Sequence, residues 1–212
     1  MARHGRVATR ASSVRPGAPT GAPANHPNAT LIDADFAGAD LCKANLNGAD
    51  LRRANLAGAD LSLAYLVGAD LRGANLDRAN LDGAYLSGAK IGSATFRGAS
   101  LREAMVGDAD PSLERPFDPP TTFQDADLEG AVFRVMDLNG VVFHRANLTN
   151  AYLYEAKVVG ADLREANLDG AKLKRLSLEQ NVTPELTARF TATESLAAAS
   201  PEPDQLPPSE AD

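Results

Sequence analysis

Several residue types that commonly carry function are scarce in this chain of 212 residues. Tryptophan is absent, aromatic residues make up 5%, and Cys42 is the single cysteine. One cysteine excludes an intrachain disulfide framework and a cysteine-rich zinc site. The three histidines, His4, His26 and His144, lie far apart in sequence, which disfavours a metal enzyme. No apolar run approaches the ~20 residues that a membrane-spanning helix needs.

The first 30 residues carry no negative charge, since they hold four arginines and no acidic residue. Residues 31–178 hold 16 basic and 21 acidic residues, and residues 179–212 hold one arginine and seven acidic residues. The three parts therefore carry charges of +4, −5 and −6, which give the net charge of −7 at pH 7. An acidic body repels nucleic acid at long range, so we expect no direct binding of DNA or RNA.

The sequence is rich in one feature, a repeat of five residues. Each pentad has a large apolar residue at its centre, alanine two residues earlier, and a polar residue, usually Asp or Asn, between them. The first run of fifteen centres, which Val106 extends, is Leu31, Phe36, Leu41, Leu46, Leu51, Leu56, Leu61, Leu66, Leu71, Leu76, Leu81, Leu86, Ile91, Phe96 and Leu101. The second run of twelve is Phe123, Leu128, Phe133, Leu138, Phe143, Leu148, Leu153, Val158, Leu163, Leu168, Leu173 and Leu178.

A period of five fits neither a straight helix nor a straight strand. On an α-helix successive centres would lie ~140° apart and form no apolar stripe. On a strand an odd period would place successive centres on opposite faces. Both conflicts disappear if the backbone turns a corner once per pentad, with the centre and the alanine inside and Asp or Asn outside. Glycine two residues after the centre, as in Gly38 and Gly58, suits such a corner.

The sequence favours four pentads in each turn of the coil. When residues 49–68 are compared with a window shifted by 20, five of the twelve positions outside the obligatory Ala and Leu are identical. Shifts of 15 and 10 give two and three identities. We therefore expect Tyr65 and Tyr85 to stack one coil apart. By the same register Asp50 and Asp70 form one ladder, which Arg52 and Arg72 flank and compensate.

The pattern resembles the pentapeptide-repeat family over roughly residues 28–106 and 121–178. The resemblance implies an all-β fold, a right-handed quadrilateral β-helix with Leu and Phe at its centre and Ala in its corners. Some members of that family mimic DNA, bind DNA gyrase and protect against quinolone-like poisons, so the resemblance implies DNA gyrase as one potential partner. Some dimerise through C-terminal segments, so we expect a homodimer through that part of this chain.

The composition predicts four parts along the chain. Residues 1–27 are expected to be a disordered basic tail, with an organellar transit peptide as the alternative. Residues 28–178 are expected to form the β-helix, interrupted by a projecting loop at 107–122. If the next pentad centre after Val106 would normally fall at residue 111, twelve residues are inserted. Residues 179–199 are a C-terminal cap with helix signals at Thr183 and Pro184. Residues 200–212 are expected to be a disordered acidic tail.

The second run has a bulkier predicted interior than the first. Phe123, Phe133 and Phe143 occupy centres, and Met136 and Val141 replace the inward alanine. We interpret this as a coil that is repacked beside the insertion.

No arrangement of nucleophile, base and acid emerges from the sequence. Cys42 and His144 each follow a centre directly and are predicted to point outward, where a rod offers no cleft that excludes water. We therefore expect a protein that is not an enzyme and that uses no metal or cofactor.

Two functional hypotheses follow. The first is a rigid, non-catalytic scaffold that binds a protein partner, with contacts from the projecting loop at Asp108, Asp110, Glu114, Arg115 and Asp118. The alternative, from the resemblance, is a DNA mimic that binds DNA gyrase or a related type II topoisomerase. In either case we expect a cytoplasmic location with no membrane contact, because no apolar signal segment is present.

Overall fold

The computed structural model describes residues 24–107 and 120–172. Within these two stretches there is no helix and no extended strand, and each regular pentad contributes one bridging residue followed by a turn of two residues. All bridges are parallel, and on either side of the insertion they join residues 20 apart, as in Asn25 with Asn45 and Asp50 with Asp70. The predicted four pentads per turn are therefore confirmed, and the coils already begin at Asn25, inside the stretch predicted as the tail.

Nearly every corner is a tight turn closed by a backbone hydrogen bond. The Ala49 N–H donates to the Leu46 carbonyl at 3.0 Å, and the second turn residue, Gly48, has a φ of +64°. A type II turn needs positive φ at this place, which glycine adopts without a steric penalty. Among the described residues, fourteen that are not glycine, including Val135 and Leu63, adopt nearly the same angle at the equivalent place. The register of the coil therefore decides the backbone angle, whichever residue occupies the corner.

The interior is a column of central residues lined by alanine, as predicted. Leu51, Ala54 and Leu61 are completely buried, and the residues in the same two positions stay buried along most of the rod. Asp and Asn face outward at the bridging position, where they also stabilise the next turn. The Asp50 carboxylate accepts from the Arg52 N–H at 3.3 Å, and the Asn45 amide oxygen accepts from the Asn47 N–H at 3.2 Å. This local hydrogen bond explains why the repeat prefers those two residues.

The four sides of the coil are named here by their bridging residues, in the order in which the chain follows them. Face A carries Asn25, Asn45, Tyr65, Tyr85, Met105, Val132, Tyr152 and Lys172. Face B carries Thr30, Asp50, Asp70, Lys90, Asp137 and Lys157. Face C carries Asp35, Asn55, Asn75, Thr95, Thr122, Val142 and Asp162. Face D carries Asp40, Asp60, Asn80, Ser100, Asp127, Asn147 and Asn167.

The insertion lengthens one turn of the coil by seven residues, so the predicted insertion of twelve residues was wrong. Across it the bridges join residues 27 apart, as in Thr95 with Thr122 and Met105 with Val132, in place of 20. The reason is that the insertion takes the place of one pentad on face B, so the coil leaves face A after Val106 and resumes on face C at Phe123. The Thr121 hydroxyl donates to the Ile91 carbonyl on face B at 2.9 Å.

Several expectations fall outside the described residues. These are the two tails, the cap at 179–199, the last two centres and most of the loop. The right hand of the coil stays a prediction from the family resemblance. No helix in the described parts of the chain is long and apolar enough to cross a membrane.

Candidate interaction faces

Face A presents an exposed apolar ladder. The rings of Tyr65 and Tyr85 stack with centroids 5.2 Å apart and planes 7° from parallel, which confirms the predicted pair. Their exposed fractions are 46% and 38%, and Val67 and Met105 beside them are exposed at 43% and 37%. Between residues 45 and 107 no charged side chain lies on this face.

The ladder continues past the insertion and ends on a cation. Val132 and Tyr152 follow Met105 at the bridging position. The Lys172 ammonium lies 4.3 Å from the centroid of the Tyr152 ring and donates to its hydroxyl at 2.9 Å. Face A therefore already holds one cation against an aromatic ring, and tyrosine rings attract cations through their negative faces.

Faces B and C carry ion pairs that neutralise most of their charge. On face B the Arg52 guanidinium donates twice to the Asp50 carboxylate, at 2.7 Å each, and Arg72 binds Asp70 in the same way. On face C Arg164 binds Asp162 at 2.7 Å. These pairs confirm that Arg52 and Arg72 compensate the aspartate ladder. Because each pair is partly exposed, it stabilises the fold only modestly.

The pairing keeps these carboxylates ionised. The hydrogen bond from Arg52 lowers the pKa of Asp50, and the hydrogen bond from Arg164 lowers the pKa of Asp162. For Asp70, burial acts to raise the pKa, but the hydrogen bonds from Arg72 outweigh it and the pKa is lowered. Faces B and C thus offer fixed, balanced charges to a partner.

Face D differs because its carboxylates outnumber its cations: Arg102 pairs with both Asp127 and Glu129, at 3.0 and 2.7 Å, whereas Asp60 and Asp82 have neutral donors. Asp60 accepts from the Ser62 N–H at 3.0 Å and from the Asn80 amide at 3.3 Å, and Asp82 accepts from the Ser100 hydroxyl at 2.5 Å. Among its described residues this face holds seven acidic side chains and two basic ones, a net charge of −5. These nine are Asp40, Asp60, Asp82, Glu103, Asp127, Glu129, Asp169, Lys43 and Arg102. The negative charge of the body is therefore gathered on one side.

The residues with reactive side chains lie apart. His144 is half-buried on face C, with Nδ1 3.1 Å from the Arg164 carbonyl oxygen, and Cys42 is a half-buried thiol on face D. Both occupy the outward turn position that the repeat predicted. In the ranges 24–107 and 120–172 no three His, Cys, Asp or Glu side chains are grouped to hold a metal ion.

The five loop residues predicted to touch a partner, Asp108, Asp110, Glu114, Arg115 and Asp118, lie outside the described residues. Sequence reasoning missed the length of face A, because Met105 and Val132 stand on opposite sides of the insertion. Aligning the two runs with an offset of 27 in place of 20 would have brought them together.

Comparison with known proteins decides the family. A model of pentapeptide repeats in eight copies matches residues 29–66, 64–103, 121–153 and 146–180, which is more than half of the chain. The chain belongs to the pentapeptide-repeat family. No curated protein sequence matches it significantly.

Solved pentapeptide-repeat structures resemble the chain at low identity. HetL, involved in heterocyst differentiation regulation in the cyanobacterium Nostoc, is 23% identical with a TM-score of 0.30, covering 74% of this chain and 88% of its own. A protein of the Arabidopsis thaliana thylakoid lumen is 30% identical with a TM-score of 0.38, covering 56% and 73%. QnrB1, a plasmid-mediated fluoroquinolone resistance protein, is 19% identical with a TM-score of 0.40, covering 79% and 89%.

Proposed function

We propose that this pentapeptide-repeat protein is a non-catalytic scaffold that binds a partner protein through the walls of its β-helix. The single observation that supports this best is the uncharged, exposed ladder of face A. Contiguous apolar surface on a soluble domain marks interaction sites. The stacked coils also hold Tyr65, Tyr85 and Met105 in fixed positions, so a partner that binds them orders few additional side chains.

The loop predicted at residues 107–122 is proposed to add contacts of its own through Asp108, Asp110, Glu114, Arg115 and Asp118. Its starting point on the wall is tightly fixed, because a Cβ added to Gly107 would lie 2.6 Å from the Arg134 backbone nitrogen. The loop therefore starts beside the apolar ladder, at the end of its uncharged stretch. Replacing residues 108–119 with a short linker should weaken partner binding and leave the coils intact.

Affinity capture with matched variants tests the scaffold proposal. Tyr85→Ser with Met105→Ser should abolish capture of the partner, whereas Thr95→Ser, at the same outward position on face C, should preserve it. Serine is native at this position at Ser100, so both variants should keep the fold. Partners identified by mass spectrometry are then titrated against each variant by calorimetry. Equal affinity for the wild type and the face A variant would contradict the proposal.

A second candidate function is DNA mimicry directed at DNA gyrase. The observation that favours it is the segregation of charge, since arginines pair with aspartates on faces B and C while face D keeps a net charge of −5. A basic groove that receives DNA selects negative charge on one side of a rod. A supercoiling assay with Asp60→Asn and Asp82→Asn, and with Asp50→Asn on face B as the control, tests this candidate. No inhibition and no protection from poisons at micromolar wild-type protein would eliminate it.

A further inference from the structure

We propose that the N-terminal segment, residues 1–23, docks on face A with its arginines against the stacked rings of Tyr65 and Tyr85. The inference rests on the proposed function, because it names what covers the same surface when no partner is bound. It makes the segment an internal competitor of the partner.

Face A is too narrow for a stable contact between two copies of the chain. Each coil offers three outward positions, a width of ~10 Å at ~3.3 Å per residue. Its eight bridging residues span ~34 Å at ~4.8 Å per coil. Two such strips would bury roughly 700 Å² in total, below the ~1,200 Å² of specific, stable interfaces. A strip of this shape fits one extended chain.

The N-terminal segment joins the rod at this face. Ala24 and Asn25 form the first pentad of face A, and the bridges from Asn25 to Asn45 and from Asn45 to Tyr65 place Tyr65 two coils away. That separation is ~10 Å, and Tyr85 lies ~14 Å from Asn25. Arg15 and Arg10 precede Ala24 by nine and fourteen residues. At ~3.1 Å per residue in an extended chain, both arginines reach the tyrosines with length to spare.

The chemistry of the segment matches that of the face. The segment carries Arg3, Arg6, Arg10 and Arg15 and no acidic residue, whereas the described rod has 17 acidic and 13 basic residues, a net charge of −4. Arginine stacks on tyrosine rings, and the contact of Lys172 with Tyr152 shows that face A accepts a cation in this manner. Covalent attachment supplies an effective concentration near the millimolar range, so a few weak contacts suffice for docking.

Protease cleavage of the full-length protein tests the proposal. Trypsin cleaves after Arg6 and Arg10, and mass spectrometry gives the rate at each site. We expect Tyr65→Ser with Tyr85→Ser to accelerate both cleavages about three- to tenfold, since the docked population is lost. Tyr152→Ser on the same face, where Lys172 already lies, is the matched control and should leave the rates unchanged. Circular dichroism verifies that each variant retains the coil.

A second measurement keeps the test decisive if the double variant fails to fold. Replacing Arg6, Arg10 and Arg15 with serine in the full chain should shift the NMR ring resonances of Tyr65 and Tyr85 and leave those of Tyr152 in place. Unchanged resonances would overturn the proposal. So would cleavage rates that respond to salt but not to the tyrosine variant, because the segment would then lie on the acidic face D. A dimer that the tyrosine variant dissociates, with cleavage unaltered, would identify a second copy as the occupant. None of these readouts needs the partner, so failure here is distinct from failure of the scaffold proposal.

Discussion

The two runs of pentads build one kind of coil around different interiors. In residues 24–107 the column is mainly leucine with alanine at the inner corners, and most of these residues are fully buried. In residues 120–172 Phe123 stacks on Phe143 at 5.3 Å and meets Phe133 edge to face at 5.8 Å. Phe96, the last phenylalanine of the first run, stacks on Phe123 at 4.7 Å and joins the two interiors.

The difference shows which parts of the repeat fix the coil and which adapt to it. In both runs the bridges keep the same spacing of 20 residues and nearly every corner keeps the same turn, so the backbone hydrogen bonds and the corners set the shape. The interior volume adapts where one pentad of face B has been replaced. Met136, in the first face B pentad after the insertion, fills an inner corner that alanine occupies elsewhere, and it is 3% exposed.

The largest expected effect comes from breaking the phenylalanine cluster. Phe123→Ala should lower the free energy of unfolding by about 3–5 kcal/mol, because it removes the ring that contacts three others and leaves a cavity. Leu61→Ala in the first run should lower the free energy of unfolding by about 2–5 kcal/mol. We expect this loss to be smaller than that of Phe123→Ala. Urea unfolding of both variants measures the difference. A greater loss for Leu61→Ala would show that the cluster adds nothing beyond ordinary filling.

Exchanging the corner residues of face B tests the difference in volume directly. Met136→Ala should cost about 2 kcal/mol or more through the cavity it leaves. Ala69→Met, at the same corner of face B in the first run, should cost about 1–3 kcal/mol because the full column has no room for the longer side chain. Thermal unfolding of the two variants gives both values. If Ala69→Met proved neutral, the first run would not be packed more tightly than the second.

Much of the coil could be predicted from the sequence, because its period conflicts with every straight element. The number of pentads per turn followed from the match of Tyr65 with Tyr85, and the buried column from the alternation of Ala and Leu. The true length of the insertion did not follow, since nothing between Val106 and Phe123 tells which face the chain skips. That information lies in the bridge between Thr95 and Thr122.

The candidate sites were less predictable than the fold. Charge counts along the chain gave an acidic body, but not that seven of its acids share face D, because neighbours on a face are 20 residues apart in sequence. The Arg53 contact with Asp33 at 2.7 Å illustrates this, as it joins residues in successive coils. Once the register is known, face A can be followed in the sequence from Asn45 to Tyr152.

A smaller effect is expected at one corner of face A. The first run places Gly48, Gly68 and Gly88 at the second turn position, whereas the second run places Val135 there with a φ of +53°. A β-branched residue is strained at this angle, and asparagine tolerates it. Val135→Asn should therefore raise the free energy of unfolding by about 1 kcal/mol. The conservative Val135→Ile, which keeps the strain, is the control for the urea midpoint. Equal midpoints for the two variants would contradict a strained corner.

The smallest expected effect concerns acid and again separates the runs. Arg52 binds Asp50 and lies 3.9 Å from Asp70 in the next coil, whereas Arg164 in the second run binds Asp162 at 2.7 Å. Both Asp50 and Asp162 have pKa values below the ordinary 3.8, so their stabilisation is complete above that pH. It is lost as the pH falls through the lower folded-state values. Asp50→Asn should therefore destabilise the protein at pH 7, and the difference from wild type should shrink as the pH falls below 3.8. Asparagine keeps the turn hydrogen bond, as native Asn45 does, so the comparison isolates charge. Asp162→Asn should show the same trend with a smaller difference at pH 7, because the Arg164 side chain is more exposed to solvent than that of Arg52 and its charge is better screened. A difference that persisted unchanged at pH 2 would assign the stabilisation to packing instead of charge.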